Sequence, residues 1–270
     1  MANYLITGAG GGMGSALCRL LTEKGDRVWG IDRVSGEEAG GWPVIPADVT
    51  DSESLRLAFE RVGAEARRLD GIVHMAGVYD LNSLVEMPEE DFLRDFNVNL
   101  FGAFRVNQLF LPLLRENGRI VIVSSELAPL SPLPFTGVYA VTKTALDHYA
   151  AALRMELQLL GHPVIVLRPG AVRTNMLPAS TEKLDRFCAG TKLYSFSAGR
   201  FRRIVGSVES RSVPPERIAD LARRTLTVKR PKPIYHVNRN PLLLLYGALP
   251  LRLQLWAIRK VLEPSRRYEA

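Results

Sequence analysis

The stretch NYLITGAGGGMG, residues 3–14, restricts the fold more than any other part of this 270-residue chain. Its first five residues form an apolar run that stops at glycines, which reads as a buried strand. Its last two open MGSALCRLLTEKG (13–25), where Leu17, Leu20 and Leu21 have helical spacing and Gly25 stands at the end. Gly8, Gly12 and Gly14 permit a tight turn between strand and helix, in the spacing Gly-x3-Gly-x-Gly, and Gly10, Gly11 and Met13 fill the loop. A strand that turns through glycines straight into a helix leaves N–H groups and partial positive charge at the helix start. A pyrophosphate can approach that backbone closely.

The same alternation continues. RVWGI (27–31) and VIPADV (44–49) read as strands, TDSE opens a helix with a Thr50–Glu53 capping box, and GIVHMAG (71–77) reads as a strand ending in small residues. Pro88 fits the first turn of a helix running to about Leu114. RIVIVSS (119–125) and PVIVLRPG (163–170) are strands on either side of a helix that begins near Tyr139. Continuous apolar strands alternating with helices predict an α/β chain with a single-domain Rossmann fold. Its doubly wound parallel sheet carries helices on both faces and binds ligands at the carboxyl ends of its strands. Residues 1–237 are assigned to this dinucleotide-binding catalytic domain, with a substrate-covering segment at about 175–212. Residues 238–270 form an amphipathic C-terminal extension. At 47% hydrophobic, the chain is long enough for one domain with a sizeable core.

Asp32 closes the second strand, where a carboxylate accepts from adenosine ribose hydroxyls and repels a 2′-phosphate. That favours NAD, while Arg33 beside it could accommodate the phosphate and keeps NADP open. In ADV (47–49), Asp48 and Val49 follow the third strand; Asp48 suits an adenine amino group or a turn equally. Tyr139 and Lys143 stand four residues apart at a helix start, either as a surface pair or as a phenol whose pKa an ammonium lowers.

Five pieces occur in order: TGAGGGMG, NVNLFGAF, VSSELA, YAVTK and RPGAVRT (168–174). Together the chain to about Val237 resembles the short-chain dehydrogenase/reductase family. The resemblance implies a catalytic tetrad. Asn99 would hold a water near the lysine, and Ser125 would bond the substrate oxygen. Tyr139 would be the acid/base. Lys143 would bind the nicotinamide ribose and lower the tyrosine pKa. RPGAVRT matches the loop placed over the nicotinamide, which brings Val172 and Thr174 into the cofactor site. HMAG (74–77) stands where the family often has NNAG, so Met75 would act through its backbone, beside Ala76 and Gly77, and His74 reads as structural. No metal site is expected.

The segment from Asn175 to Ser212 contains Met176, Leu177, Phe187, Leu193, Tyr194, Phe196 and Phe201, which pack a lid or suit a large apolar substrate. The implied branch is that of retinol and hydroxysteroid dehydrogenases. The alternatives are a non-catalytic dinucleotide-sensing regulator and a membrane-associated binding protein on the same fold. The overall charge is +7. From Arg200 onward sixteen Lys/Arg face five Asp/Glu, a local +11. No nucleic-acid motif accompanies this charge, so no nucleic-acid partner is expected. In the extension, Leu251, Leu255, Ile258 and Leu262 are spaced to share a helix face. That face could meet a membrane interface, close the substrate pocket or join two subunits, and a homodimer or homotetramer is expected. With two cysteines and no leader-like segment, the expected location is cytoplasmic, with peripheral membrane contact left open.

Overall fold

Each strand of the central sheet is apolar on both sides because both faces are covered. In the computed structural model, which describes residues 1–33, 36–37, 42–174 and 176–263, seven strands run parallel. They are β1 (Asn3–Thr7), β2 (Arg27–Asp32), β4 (Pro43–Pro46), β5 (Leu69–His74), β6 (Leu114–Val123), β7 (Val164–Pro169) and β8 (Ile234–Val237). The two-residue β3 (Gly36–Glu37) adds an antiparallel edge, and the order is β3-β4-β2-β1-β5-β6-β7-β8. Alternate residues of one strand enter opposite cores. Leu5, Trp29, Ile72 and Ile120 pack against α2 (Ser52–Ala66), α4 (Gly102–Phe110) and α5 (Gly137–Leu157). Tyr4, Ile6, Val73 and Val121 pack against α1 (Gly12–Glu23) and α8 (Glu216–Thr227). This is the doubly wound sheet expected from the strand–helix alternation.

The strands after β1 stop earlier than their apolar runs. β5 ends at His74, β4 at Pro46 and β6 at Val123, so Met75–Gly77, Ala47–Val49 and Ser124–Ser125 lie in the loops beyond. The last β1–β5 pair is Thr7 with His74, after which the Thr7 hydroxyl accepts from the N–H groups of Met75 and Ala76, each at 3.3 Å. At the other end, β6 starts at Leu114, five residues before the predicted 119. Leu114 pairs with Leu69 across a bulge, and Asn117 takes φ 59° in a polar stretch that reads as a turn.

Two helix expectations change. The capping box is replaced: Asp51 caps α2 by accepting from Glu53 N–H at 2.9 Å. Thr50 cannot serve because its N–H and hydroxyl are both held by Asp48 Oδ1 at 2.8 Å. The predicted long helix divides into α3 (Glu89–Phe96), a π-helical turn at Asn97–Phe101, and α4, with Pro88 as the residue before the first turn.

Beyond β7 lie α6 (Met176–Gly190) and α7 (Ser195–Glu209). Asn175 lies outside the described residues, as do the side chains of Met176 and Leu177. Phe187 and Phe201 do not face open space. With Leu184 and Val205 they build a third core around Phe135, whose ring meets Phe187, Tyr194 and Phe201 at 5.0–5.3 Å. Most of the lid aromatics therefore pack the lid itself, whereas Leu193 and Phe196 stay exposed. Lys183 of α6 grips Asp80 at 2.6 Å, and Glu86 holds Thr191 Oγ1 at 2.6 Å.

The extension forms α9 (Pro241–Ala248) and α10 (Leu251–Leu262). The predicted common face does not hold together. Ile258 and Leu262 enter the third core, while Leu251 and Leu255 remain 65% and 61% exposed. The buried side of α10 runs through Gln254, whose amide donates to Leu249 O at 2.8 Å. Among the described residues, no helix is long and apolar enough to cross a membrane.

Candidate active site

The sheet reverses direction of winding between β1 and β5, and a cleft of about 260 Å³ opens there at the strand ends. The first wall is the glycine loop, with Gly8, Gly10, Gly11, Gly12, Met13 and Gly14 all lining it. Gly8 has φ 71°, and a Cβ there would lie 2.6 Å from Ala76 N. A Cβ on Gly14 would lie 2.0 Å from Gly8 O, so that position must be bare for the loop to close. Gly11 precedes α1 and offers no side-chain cap, which leaves the first-turn N–H groups for a ligand.

The other walls are the loops beyond β2, β4 and β5. Asp32 and Arg33 line the cleft, and Asp32 Oδ2 accepts from Gly10 N–H at 3.0 Å. Asp48 and Val49 line it, as do Met75, Ala76 and Gly77. Thr174 closes over the loop, its Cγ2 2.9 Å from a Cβ built on Gly12. Val172 does not line it; it is buried in the second core and bridges Val213. Ile31, Ala47, Val78 and Val98 also line the cleft and escaped the sequence reading. Ala47 and Ile31 sit at strand ends, a signal that was available. Val98 is aimed by the π-helical turn, which periodicity does not reveal. This bare-backbone cradle beside a carboxylate fits a dinucleotide.

Two of the four residues expected to form a tetrad, Asn99 and Lys143, meet behind Gly77. Asn99 is buried and its amide is fully engaged: Oδ1 accepts from Val78 N–H at 2.8 Å, and Nδ2 donates to Val78 O and Thr142 Oγ1, both at 3.0 Å. It fixes the loop after β5. A Cβ on Gly77 would lie 3.1 Å from Asn99 Oδ1 and 3.5 Å from Lys143 Nζ, so both face the same point. Lys143 is 5% exposed and donates to Val123 O at 3.2 Å. Tyr139 stands one turn earlier on α5, with Tyr79 edge-on at 4.5 Å. Of the two adjacent serines, Ser124 donates to Lys143 O at 3.3 Å, and Ser125 Oγ accepts from Leu127 N–H at 3.2 Å.

Electrostatics depart from the expectation. Burial pushes the Tyr139 phenol up to about 12; the Ser125 bond opposes this and the Glu126 charge adds to it. Lys143 Nζ lies 5.8 Å from the Tyr139 ring centroid, and burial draws the lysine pKa down to about 8, against the pull of Asp147. His74 is buried with Nε2 2.8 Å from Asn107 Oδ1, and Asn107 Nδ2 donates to Tyr149, a structural network.

A family model described as short chain dehydrogenase matches residues 2–185, from the glycine loop through the tetrad. The chain belongs to the short-chain dehydrogenase family. This dehydrogenase is 28% identical over 262 residues to the 3-ketodihydrosphingosine reductase of Bacteroides thetaiotaomicron, covering 94% of this chain and 96% of the relative. It is 34% identical to human 17-beta-hydroxysteroid dehydrogenase type 6, over 67% of this chain and 60% of that protein. A solved short-chain dehydrogenase from Streptomyces avermitilis superposes on the dehydrogenase with TM-score 0.74 and 25% identity, covering 96% of both chains. The chain covers 48–61% of the length of the retinol and hydroxysteroid dehydrogenase relatives.

Proposed function

We propose that this protein is an NAD(P)-linked enzyme that interconverts a secondary alcohol and a ketone on an apolar substrate. The observation that carries this is the placement of buried Asn99 and Lys143 against Gly77 of the dinucleotide cleft, with Tyr139 one turn before Lys143 on α5. The dinucleotide supplies the hydride chemistry. Ser125 holds the substrate oxygen, Tyr139 moves the proton, and Lys143 holds the nicotinamide ribose. A phenol pushed up to about 12 is protonated at neutral pH, which suits proton donation to a ketone oxygen. Asp32 supports NAD over NADP through repulsion of a 2′-phosphate.

Steroid-like, retinoid-like and long-chain ketones are the proposed substrates, supported by the reductase and dehydrogenase relatives. The extension supports peripheral contact with a bilayer by a cytoplasmic homodimer or homotetramer: Leu242, Leu245, Leu251, Leu255 and Trp256 are exposed beside Arg252. The test is a turnover screen of 3-ketodihydrosphingosine, steroid ketones, retinoids and aliphatic ketones with NADH and NADPH. Turnover of an apolar ketone, faster with NADH, is expected. Tight dinucleotide binding with no turnover of any compound would favour the sensing alternative.

A further inference from the structure

Glu126, next to Ser125 within VSSELA, is 6% exposed and is not a member of the expected tetrad. Its backbone N–H donates to Pro169 O at 2.8 Å, so it sits where β6 and β7 end. Its carboxylate reaches across to the extension. Oε2 accepts from Asn240 N–H at 2.7 Å, and Asn240 is the residue that caps α9, accepting from Leu242 N–H at 3.0 Å. Oε1 lies 2.8 Å from a Cβ built on Gly170, so only a glycine there leaves it room. Asn238, at φ 54°, brings the chain into this position and donates to Ala171 O and Arg211 O. Further along α9, Gly247 packs on Leu130 of the loop that joins Ser125 to Tyr139. The extension thus touches the serine–tyrosine loop at two points.

Resting on the proposed roles of Ser125 and Tyr139, we propose that Glu126 is a positioning residue for that reaction. Its buried carboxylate ties the entry of α9 to the loop that carries Ser125. The charged and titratable groups facing it are Arg239 of the extension and Arg211 across a small cavity between them, with Tyr139 on α5. Burial holds the Glu126 carboxyl above its usual range, and the Asn240 N–H and Arg239 oppose that. A carboxylate in this low-dielectric corner makes a nearby phenolate costly, which is a charge effect separable from the clamp.

The test uses the full chain with Glu126→Gln, Glu126→Ala and Tyr139→Phe. Ketone reduction is followed from neutral to alkaline pH with the fastest ketone of the screen, NADH binding by fluorescence, and amide exchange by mass spectrometry. Glu126→Gln keeps an acceptor for Asn240 and removes the charge. It is expected to retain exchange protection while its alkaline loss of kcat moves acidward by about half to one pH unit. Glu126→Ala is expected to raise exchange across residues 238–248 about tenfold and lower kcat about tenfold, with NADH affinity within about twofold. A wild-type pH profile in Glu126→Gln overturns the charge role, and it remains decisive if the alanine variant does not fold. Wild-type kcat in Glu126→Ala, or a lowered Tm as its sole defect, overturns positioning. If Tyr139→Phe retains turnover, the proposed chemistry fails and takes this inference with it; loss of turnover there with silent Glu126 variants sinks this inference alone.

Discussion

Burial acts on His74 and Tyr139 in opposite directions because their charged forms carry opposite signs. For Tyr139 it raises the phenol pKa to about 12. Tyr139→Phe should lower turnover at least about 100-fold while NADH binding persists, since only the proton-transfer group is lost. Initial rates and a fluorescence titration check this. For His74, burial lowers the pKa to about 4 from about 6.5 in an unfolded chain. The unfolded chain then binds more protons between these values. The stabilisation is complete above about pH 6.5 and is lost as pH falls toward 4, on the order of 3 kcal/mol. His74→Asn should flatten that acid limb in urea unfolding. A parallel slope in the variant would assign the acid loss to other groups. Asp32 holds Gly10 N–H at 3.0 Å, and its proposed role in cofactor choice is repulsion of a 2′-phosphate. Asp32→Ala should shift the kcat/KM ratio toward NADPH about tenfold, with Arg33 free to meet the 2′-phosphate. A wild type already preferring NADPH would make Arg33 the determinant.

Elements impose a different constraint, in which the same residue type has opposite value by position. Gly14, in the first turn of α1, has Gly8 O where a Cβ would stand. Gly63, within α2, would place its Cβ 3.8 Å from Leu113, ordinary contact. Gly14→Ala should cost at least about tenfold in NADH affinity by forcing the phosphate loop open. Gly63→Ala should raise stability by about 0.5–1 kcal/mol by removing a flexible residue from a helix interior. Isothermal titration and urea midpoints, run on both variants, separate the effects. The glycine loop was legible because strand, turn and helix are local and each leaves its own mark. The π-helical turn at Asn97–Phe101 was not, since it follows from how this helix packs on α5 and seats Asn99 against Val78 and Thr142.

At the scale of the molecule, the extension is both a wall of the third core and an exposed apolar surface. Truncating it after Asn240 would remove Ile258 and Leu262 from that core and would confuse unfolding with lost docking. A Leu251→Ser, Leu255→Ser and Trp256→Ser triple variant is the cleaner probe, because all three are exposed. Wild-type protein should co-sediment with anionic vesicles, less so as salt rises, and the triple variant should lose most of that binding. If wild-type protein stays out of the pellet at low salt and size exclusion shows a dimer that the triple variant abolishes, the surface is a subunit contact.

What the sequence alone determined is whatever depends on near neighbours in the chain: the parallel α/β architecture, the phosphate loop, the acid after β2 and the four-residue step from Tyr139 to Lys143. Periodicity and glycine spacing encode these directly. Tertiary structure decided what depends on distant partners. It turned Ser124 onto Lys143 O, sent Val172 into the core and turned most of the lid aromatics onto Phe135. It also split the predicted face of α10 and pushed the Tyr139 pKa up through burial. Burial and hydrogen bonding across large sequence separations have no local signature, so only the packed chain reveals them.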